Sequence, residues 1–473
     1  MIDIIVILAI YLLLMLGIGF YSRRYIKNID DYLVAGRRLG IVFLSATLAA
    51  THYGGGFVLG GGAWGVSYGI GGIWYGLACG VGLIVLGLFL AEKTRALAQY
   101  TVPDLIDLRY NSKFLRLSSS LLSLAALTGI IGAQVWAMTA VFEALGLPGY
   151  YGAIIATLVF IVYTAASGLW AVTITDLGQI VIGSIGVLVA TIAGLITVGG
   201  FAGLSNRLSI IAKDIGVTPS TYYDLFSPGL TVIALTLSAT VMYTLIGQDF
   251  YQRLFAAKTP SIARKAAIVA GILLVVLSFL PVLAGMTALA LASDPNEVLN
   301  SPKTAIPRLI LQIFPGWGAG IFLAAILAAI MSTADSLLSA STSHIIRDIY
   351  VQFINPNADN KKLIKLSIIT TIIVGILALV VAILVKDIIL LLIYSYDIYT
   401  SAVFVPVILG LFWSKATKEG AIAALVSGAT ISLLGITNII KLPYWEEIYL
   451  LSAAISLVIM IVVSILTYKE TKE

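Results

Sequence analysis

The sequence predicts an all-α polytopic membrane protein, and three observations predict it. Of the 473 residues 60% are hydrophobic and only 11% charged, with a mean hydropathy of +1.05. The apolar residues gather into runs of about 20 or more, enough to cross a hydrocarbon core of about 30 Å. The basic residues fall between those runs with a bias to one side. A transmembrane barrel would instead show short alternating segments, which are absent.

Thirteen spans are expected, at about 3–22, 41–66, 71–92, 115–142, 150–169, 174–200, 228–248, 265–291, 316–345, 363–385, 387–412, 417–439 and 446–468. The first has no basic residue ahead of it, Arg23 and Arg24 directly behind it and no small-residue cleavage site. It therefore reads as a retained span rather than a secretion signal. With the N-terminus outside, the inner segments 23–40, 93–116, 253–265, 347–365, 415–418 and 469–472 hold 22 of the 28 Lys and Arg. The other six are Arg207, Lys213, Lys303, Arg308, Lys386 and Lys441, all in outer segments, so none is left inside a span. This bias sets an N-out, C-in topology. The longest connections, 201–227, 292–315 and 347–362, are too short for a soluble domain. The chain reads as one transmembrane unit over 1–473, a multi-pass protein of the cell membrane.

Several function classes are excluded. The net charge of +5 is scattered between apolar spans, which is not a nucleic-acid signature. The single Cys79 and the two histidines, His52 and His344, give no disulfide framework and no zinc or haem site. No nucleophile–base pair or metal cluster suggests an enzyme, and no obligatory protein partner is evident.

The second span carries Gly54, Gly55, Gly56, Gly60, Gly61 and Gly62, six glycines within nine residues. Each costs a helix interior about 1 kcal/mol relative to Ala. Non-helical backbone survives in a membrane only where it is buried in protein or lines a wet cavity. A helix broken near the midplane, with freed carbonyls holding an ion, is a common transporter site. The alternative is a packing face of small residues. It accounts for Gly56 and Gly60 but not for three consecutive glycines beside His52.

The ninth span is polar where it should be apolar. Ala329, Ser332 and Thr333 stand at i, i+3 and i+4 on one face, and Asp335 and Ser336 continue it one turn on. Two hydroxyls and a helix carbonyl are hard oxygen donors of the type a small alkali cation needs. Polar groups inside a membrane mark ion or substrate paths, so this face points to ion-coupled transport.

Further candidates line up with it. Asp397 in the eleventh span must stay protonated or meet a cation, whether a substrate amine, an ion, His52 or tyrosine hydroxyls. His52 can bond a carboxylate or carry a proton, or is satisfied by neighbouring carbonyls. Gln134, Trp136 and Tyr243 stand where a pocket wall is expected, although core packing explains them too.

Several motifs in order carry a family resemblance. They are Asp31 to Leu39; Thr101, Pro103, Asp104 and Arg109; Gly168 to Val172 with Asp176 and Gln179; Gly247-Gln248 with Arg253; and Pro406 to Trp413 with Ala416, Thr417 and Gly420. In these the chain resembles the sodium:solute symporter family over nearly its whole length. The resemblance implies a LeuT-like core of two inverted five-helix repeats. These would be residues 41–200 and 228–412, preceded by an extra helix and loop at 1–40 and followed by two helices at 413–473. It also implies a sodium site made of the carbonyls of Ala50, Tyr53 and Ala329 with the hydroxyls of Ser332 and Thr333. Some members hold a second sodium with an aspartate and hydroxyls, here Asp176 with Asp335 and Ser336; the alternative is that Asp176 caps a helix.

Departures from the family narrow the solute. The third and eighth spans lack the charged and amide groups of the galactose transporters, which argues against a sugar. Gly56 and Val241 replace tryptophans of the proline transporter. His52 replaces a tryptophan of the choline type, which weakens a cage for a quaternary ammonium. The expected function is sodium-coupled import of a small polar organic solute, such as an amino acid or monocarboxylate. His52, Gly54, Gly55, Gly56, Gln134, Trp136, Tyr243 and Asp397 are its candidate contacts. Alternatives are proton coupling through Asp335, Asp397 or His52, and a transport-fold sensor.

Overall fold

The computed structural model describes residues 2–385, 388–437, 439 and 448–469, without the side chains of 388–395, 448 and 449. Lys386, Lys441 and most of the last inner segment lie outside these residues. Everything described is helix or connection, apart from one isolated backbone bridge between Leu39 and Ala257.

The first half of the chain runs α1 (Ile2–Ser22), α2 (Ile41–His52), α3 (Gly61–Tyr68), α4 (Trp74–Val85), α5 (Val102–Tyr110), α6 (Lys113–Ala144) and α7 (Gly149–Val198). The second half continues with α8 (Leu230–Thr244), α9 (Gln248–Ala256), α10 (Pro260–Leu277), α11 (Phe279–Leu291) and α12 (Trp317–Ser343). It closes with α13 (Asn360–Leu384), α14 (Ile388–Phe412), α15 (Lys418–Ile436) and α16 (Ile448–Thr467).

Nine helices among the described residues are long and apolar enough to cross a membrane, or ten if α8 and α9 form one bent span. The difference from thirteen has a physical cause. The 50 residues of α7 would reach about 75 Å, far beyond a bilayer core of about 30 Å. Gly168 divides them, with φ 52° and ψ −140°. A side chain there would sit 2.4 Å from the Tyr32 carbonyl oxygen, so only glycine allows this turn. Gly69, with φ 57°, ends α3 in the same way and starts a new direction before α4. The parts of the second and eleventh expected spans that remain, Ile41–His52 and Tyr396–Phe412, are short apolar helices among the described residues.

The core is built around α12. In its most apolar window 89% of the residues are buried, against 28% in α1, which turns Leu13 and Leu14 outward. Its most extensive partner is α7, and it also packs on α1, α2 and α6. Because α12 is buried on nearly every side, its polar face looks into protein and not lipid.

Two helices break beside it. The first is α2: the N–H of Tyr53 still bonds the Ala49 carbonyl at 2.9 Å, and that of Gly54 turns back to His52 at 2.8 Å. The path resumes through a wide π turn over Gly56–Gly60 and continues as α3. The second break lies between Thr244 and Gln248, where α9 departs from α8 by 43°.

Candidate functional site

The break after α2 lies against the polar face of α12. The Ser332 hydroxyl donates to the carbonyls of Ala50 at 3.3 Å and Ala329 at 2.9 Å. The Thr333 hydroxyl donates to the same Ala50 carbonyl at 3.1 Å. Ala50, Tyr53, Ala329, Ser332 and Thr333 are all buried. Two carbonyls and two hydroxyls from two helices thus converge within hydrogen-bond reach of each other. Such a set of neutral hard oxygens suits a sodium ion, whose charge would replace the hydroxyl protons as the partner of the carbonyls. Tyr53 packs beside them, its ring 3.4 Å from the position of a side chain at Gly183, as is Ala329.

A second cluster lies one turn further along α12. Asp176, Gln179 and Gly183 stand at i, i+3 and i+7 of α7 and so share a face. The Thr47 hydroxyl donates to Asp176 Oδ2, and Tyr163 donates to Asp335 Oδ2 at 2.5 Å. Asp176 Oδ1, Asp335 Oδ1, Gln179 Oε1 and the Tyr53 hydroxyl are buried with no hydrogen-bond partner among the described residues. Buried oxygens are rarely left so, and water, a ligand or an ion normally satisfies them.

Arg253, which the sequence places in an inner segment, stands on α9, beyond the bend that follows α8. It is fully buried on α9, with Nε donating to the Thr47 hydroxyl at 2.8 Å and Nη1 to the Asp249 carbonyl at 2.7 Å. Its Nη2 donates to the Ser336 hydroxyl and lies 3.6 Å from Asp176 Oδ2. Ser336 is therefore engaged by a cation of the protein, and the Asp176–Asp335–Arg253 group carries one net negative charge when both acids are ionised. One monovalent cation or one proton balances it.

A narrow, tightly filled cavity opens beside the first cluster. Of the expected solute contacts, His52, Gly54, Gly56, Gln134 and Tyr243 line it. Gly55 does not, but its N–H donates to Gln134 Oε1 at 2.8 Å and so orients that wall. Thr333 lines the same cavity, which makes its hydroxyl common to both places.

Two expected contacts fall elsewhere. Trp136 lies under the ammonium of Lys303 at 4.1 Å, and Lys303 pairs with Glu143 at 3.1 Å, so this ring belongs to a surface ion cluster. Asp397 is buried but outside the cavity lining. The carboxylate that does line it is Asp249 on α9, missed because its place depends on the bend between Thr244 and Gln248. The only sequence signal is Gly247 two residues ahead of it, a residue that breaks helices.

The second histidine also has a place. His344 is buried, bonding Asp348 at 2.8 Å through Nδ1 and Ser123 at 2.8 Å through Nε2. Asp348 in turn joins Arg116, Asp104 and Thr101 in a buried network between α5, α6 and the π-helical segment His344–Ile354 that follows α12.

The model of the sodium:solute symporter family matches residues 32–428, most of the chain. The chain belongs to the sodium:solute symporter family. It is similar to the sodium/pantothenate symporter of Escherichia coli K12, at 29% identity over 92% of this chain and 91% of that one. It is 26% identical to the sodium/glucose cotransporter of Vibrio parahaemolyticus, over 94% and 87% of the two chains. The same identity relates it to the osmoregulated proline transporter OpuE of Bacillus subtilis, over 100% and 96%. In fold it matches a Na+-coupled sialic acid symporter solved in a substrate-bound, outward-open state. The TM-score is 0.83 at 20% sequence identity, covering 100% of this chain and 99% of the other. As a member of this family of sodium-coupled solute symporters, the protein is a multi-pass membrane transporter and not an enzyme.

Proposed function

We propose that this symporter imports a small polar organic solute, an amino acid, a monocarboxylate or a similar molecule, together with sodium by alternating access. The observation that carries this reading is the meeting of Ser332 and Thr333 with the Ala50 carbonyl at the break of α2. The sodium ion is held by the carbonyls of Ala50, Tyr53 and Ala329 and the hydroxyls of Ser332 and Thr333. Thr333 also faces the cavity, so an ion bound there fixes the wall that the solute touches. The reading keeps thirteen spans with the N-terminus outside, since the basic residues divide 22 to 6.

A second ion, where used, sits between Asp176 and Asp335, whose free oxygens point to it. Arg253 occupies the Ser336 side. A proton on Asp335 would serve the same charge balance, which keeps proton coupling as the second reading at this one position. The energetics ask for no more than one ion. A sodium ion moving down about 100 mV releases roughly 2.3 kcal/mol, and a tenfold gradient adds about 1.4 kcal/mol.

The solute is touched by His52, Gly54, Gly56, Gln134 and Tyr243. The relatives carry names for glucose, pantothenate and proline, three unlike chemistries, so membership of the family does not choose among them. The test is uptake into proteoliposomes with imposed gradients. Solute accumulation driven by inward sodium and lost in Ser332→Ala and Thr333→Ala supports the reading. Equal accumulation in sodium-free medium under a proton gradient overturns it.

A further inference from the structure

The bend between α8 and α9 brings a carboxylate into the cavity. Gly247 takes an extended conformation, φ −64° and ψ 124°, and its N–H still bonds the Tyr243 carbonyl at 2.7 Å. The chain then turns into α9, and Asp249 stands in the first turn with 2% of its surface exposed. One of its carboxylate oxygens accepts from the Tyr243 hydroxyl at 3.1 Å.

An acid at a helix N-terminus has a structural use of its own. Three further observations take Asp249 past that use. It lines the cavity, together with the rings of Tyr75, Tyr243, Phe250 and Tyr396. The rings are close-set: Tyr243 meets Tyr396 edge-on at 4.6 Å, and Phe250 lies 4.5 Å from the His52 ring. No Lys or Arg is among the lining residues. Arg253, one turn along α9, supports the Asp249 carboxylate by its charge through space but forms no ion pair with it among the described residues. It gives Nη1 to the backbone carbonyl of Asp249 and spends its other nitrogens on Thr47, Ser336 and Asp176.

His52 completes the pattern. The Thr244 hydroxyl has one proton and donates it to the Thr240 carbonyl at 2.7 Å. His52 Nε2 lies 3.0 Å from that hydroxyl, which holds the ring at the cavity wall.

A carboxylate and several aromatic faces, with no Lys or Arg among the lining residues, make a site of negative potential, which a bare anion would enter without a counter-charge. We infer that Asp249 is the substrate-recognising carboxylate of this symporter and that the solute carries a protonated amine. The ammonium donates to Asp249, and its flank lies against the ring faces of the cavity. This inference rests on the symport reading above and narrows its solute class.

The experiment uses the purified full chain in lipid nanodiscs and measures thermal unfolding in sodium or potassium. The probes are propylamine, alanine, propionate and glucose at millimolar concentration. The expected result is a rise in Tm with propylamine and alanine in sodium only, and none with propionate or glucose. Asp249→Asn should weaken the amine effect by roughly ten- to hundredfold, the value of a charge-assisted hydrogen bond. Asp249→Glu should restore part of it. The rise caused by sodium alone serves as a control for folding and should survive in both variants. A larger sodium-dependent rise with propionate or glucose overturns the inference and leaves symport standing. The same is true of an amine effect unchanged in Asp249→Asn. If neither sodium nor any probe moves Tm, the symport reading and this inference fall together.

Discussion

Gly54 faces Thr333 so closely that a methyl group on Gly54 would lie 2.2 Å from the threonine hydroxyl. The same methyl would come within 2.9 Å of Gln134 Oε1. The glycine therefore serves the approach of α12 to the broken helix, and the ion site and cavity depend on that approach together. Gly54→Ala should destabilise the fold by about 1–3 kcal/mol through overpacking. It should also weaken sodium activation and solute affinity in parallel. Binding isotherms for both ligands would check this; a loss of one without the other contradicts it.

Removing a hydroxyl from α12 should act mainly on the ion. Ser332→Ala and Thr333→Ala each take away one oxygen, so the sodium concentration for half-maximal uptake should rise roughly tenfold or more. Thr333→Ala should in addition alter solute affinity, because its hydroxyl lies on the cavity wall. Sodium activation curves of the two variants, at saturating and limiting solute, separate the effects. Unchanged curves would remove both residues from the site.

Asp176 and Asp335 should behave as one unit. Asp176→Asn or Asp335→Asn leaves the group with Arg253 neutral, and no cation is then needed for balance. Each single variant should lower the sodium-to-solute ratio, and the double variant should be no worse than either. Ratios from reversal-potential measurements on proteoliposomes test this. Additive losses would assign the two acids to separate structural roles.

Arg116 holds together three acids at the basic-rich end of the protein. It pairs with Asp104, with Asp348 at 3.0 Å and with Asp107 at 3.1 Å. Arg116→Ala should cost about 3–5 kcal/mol at neutral pH, because it strands buried carboxylates. Burial, and next the charge of Asp348, push the Asp104 carboxyl above the usual range. An acid raised in the folded state costs stability above its folded pKa and regains it as pH falls toward the unfolded value. The penalty of Arg116→Ala should therefore be smaller at pH 5 than at pH 7.5. Denaturation at the two pH values would show it, and a pH-independent penalty would contradict it.

What the sequence revealed and what it hid follow from range. The glycine run of the second span and the i, i+3, i+4 oxygens of the ninth are local patterns, and each led to its element and face. That Ser332 and Thr333 meet Ala50, some 280 positions away, came from the resemblance rather than from any local pattern. Arg253 was read as a loop cation because its partners, Asp176 and Thr47, are far from it in sequence. Asp397 stands out because it lies within an apolar run, whereas Asp249 falls just past the expected span 228–248. The deciding fact was a 43° bend, which turns the short segment after Gly247 inward. The bond of His52 to Thr244 joins residues some 190 positions apart, which no spacing rule supplies.

The lone backbone bridge acts as a strap between the two interrupted helices. Leu39, just ahead of α2, takes its N–H to the Ala256 carbonyl at 3.0 Å and receives that of Lys258 at 2.9 Å. Arg95 and Arg37 add side-chain bonds to the carbonyls of Ala257 and Phe255 at 2.7 and 3.3 Å. Tilting α2 without α9 would tear this tie open, leaving its backbone groups unpaired at about 1–3 kcal/mol each where they are buried. The segment that carries the ion carbonyls and the segment that carries Asp249 are thus yoked at one end. A tilt of α2 that kept these bonds would carry α9 with it, so the tie sets the two broken helices to move together.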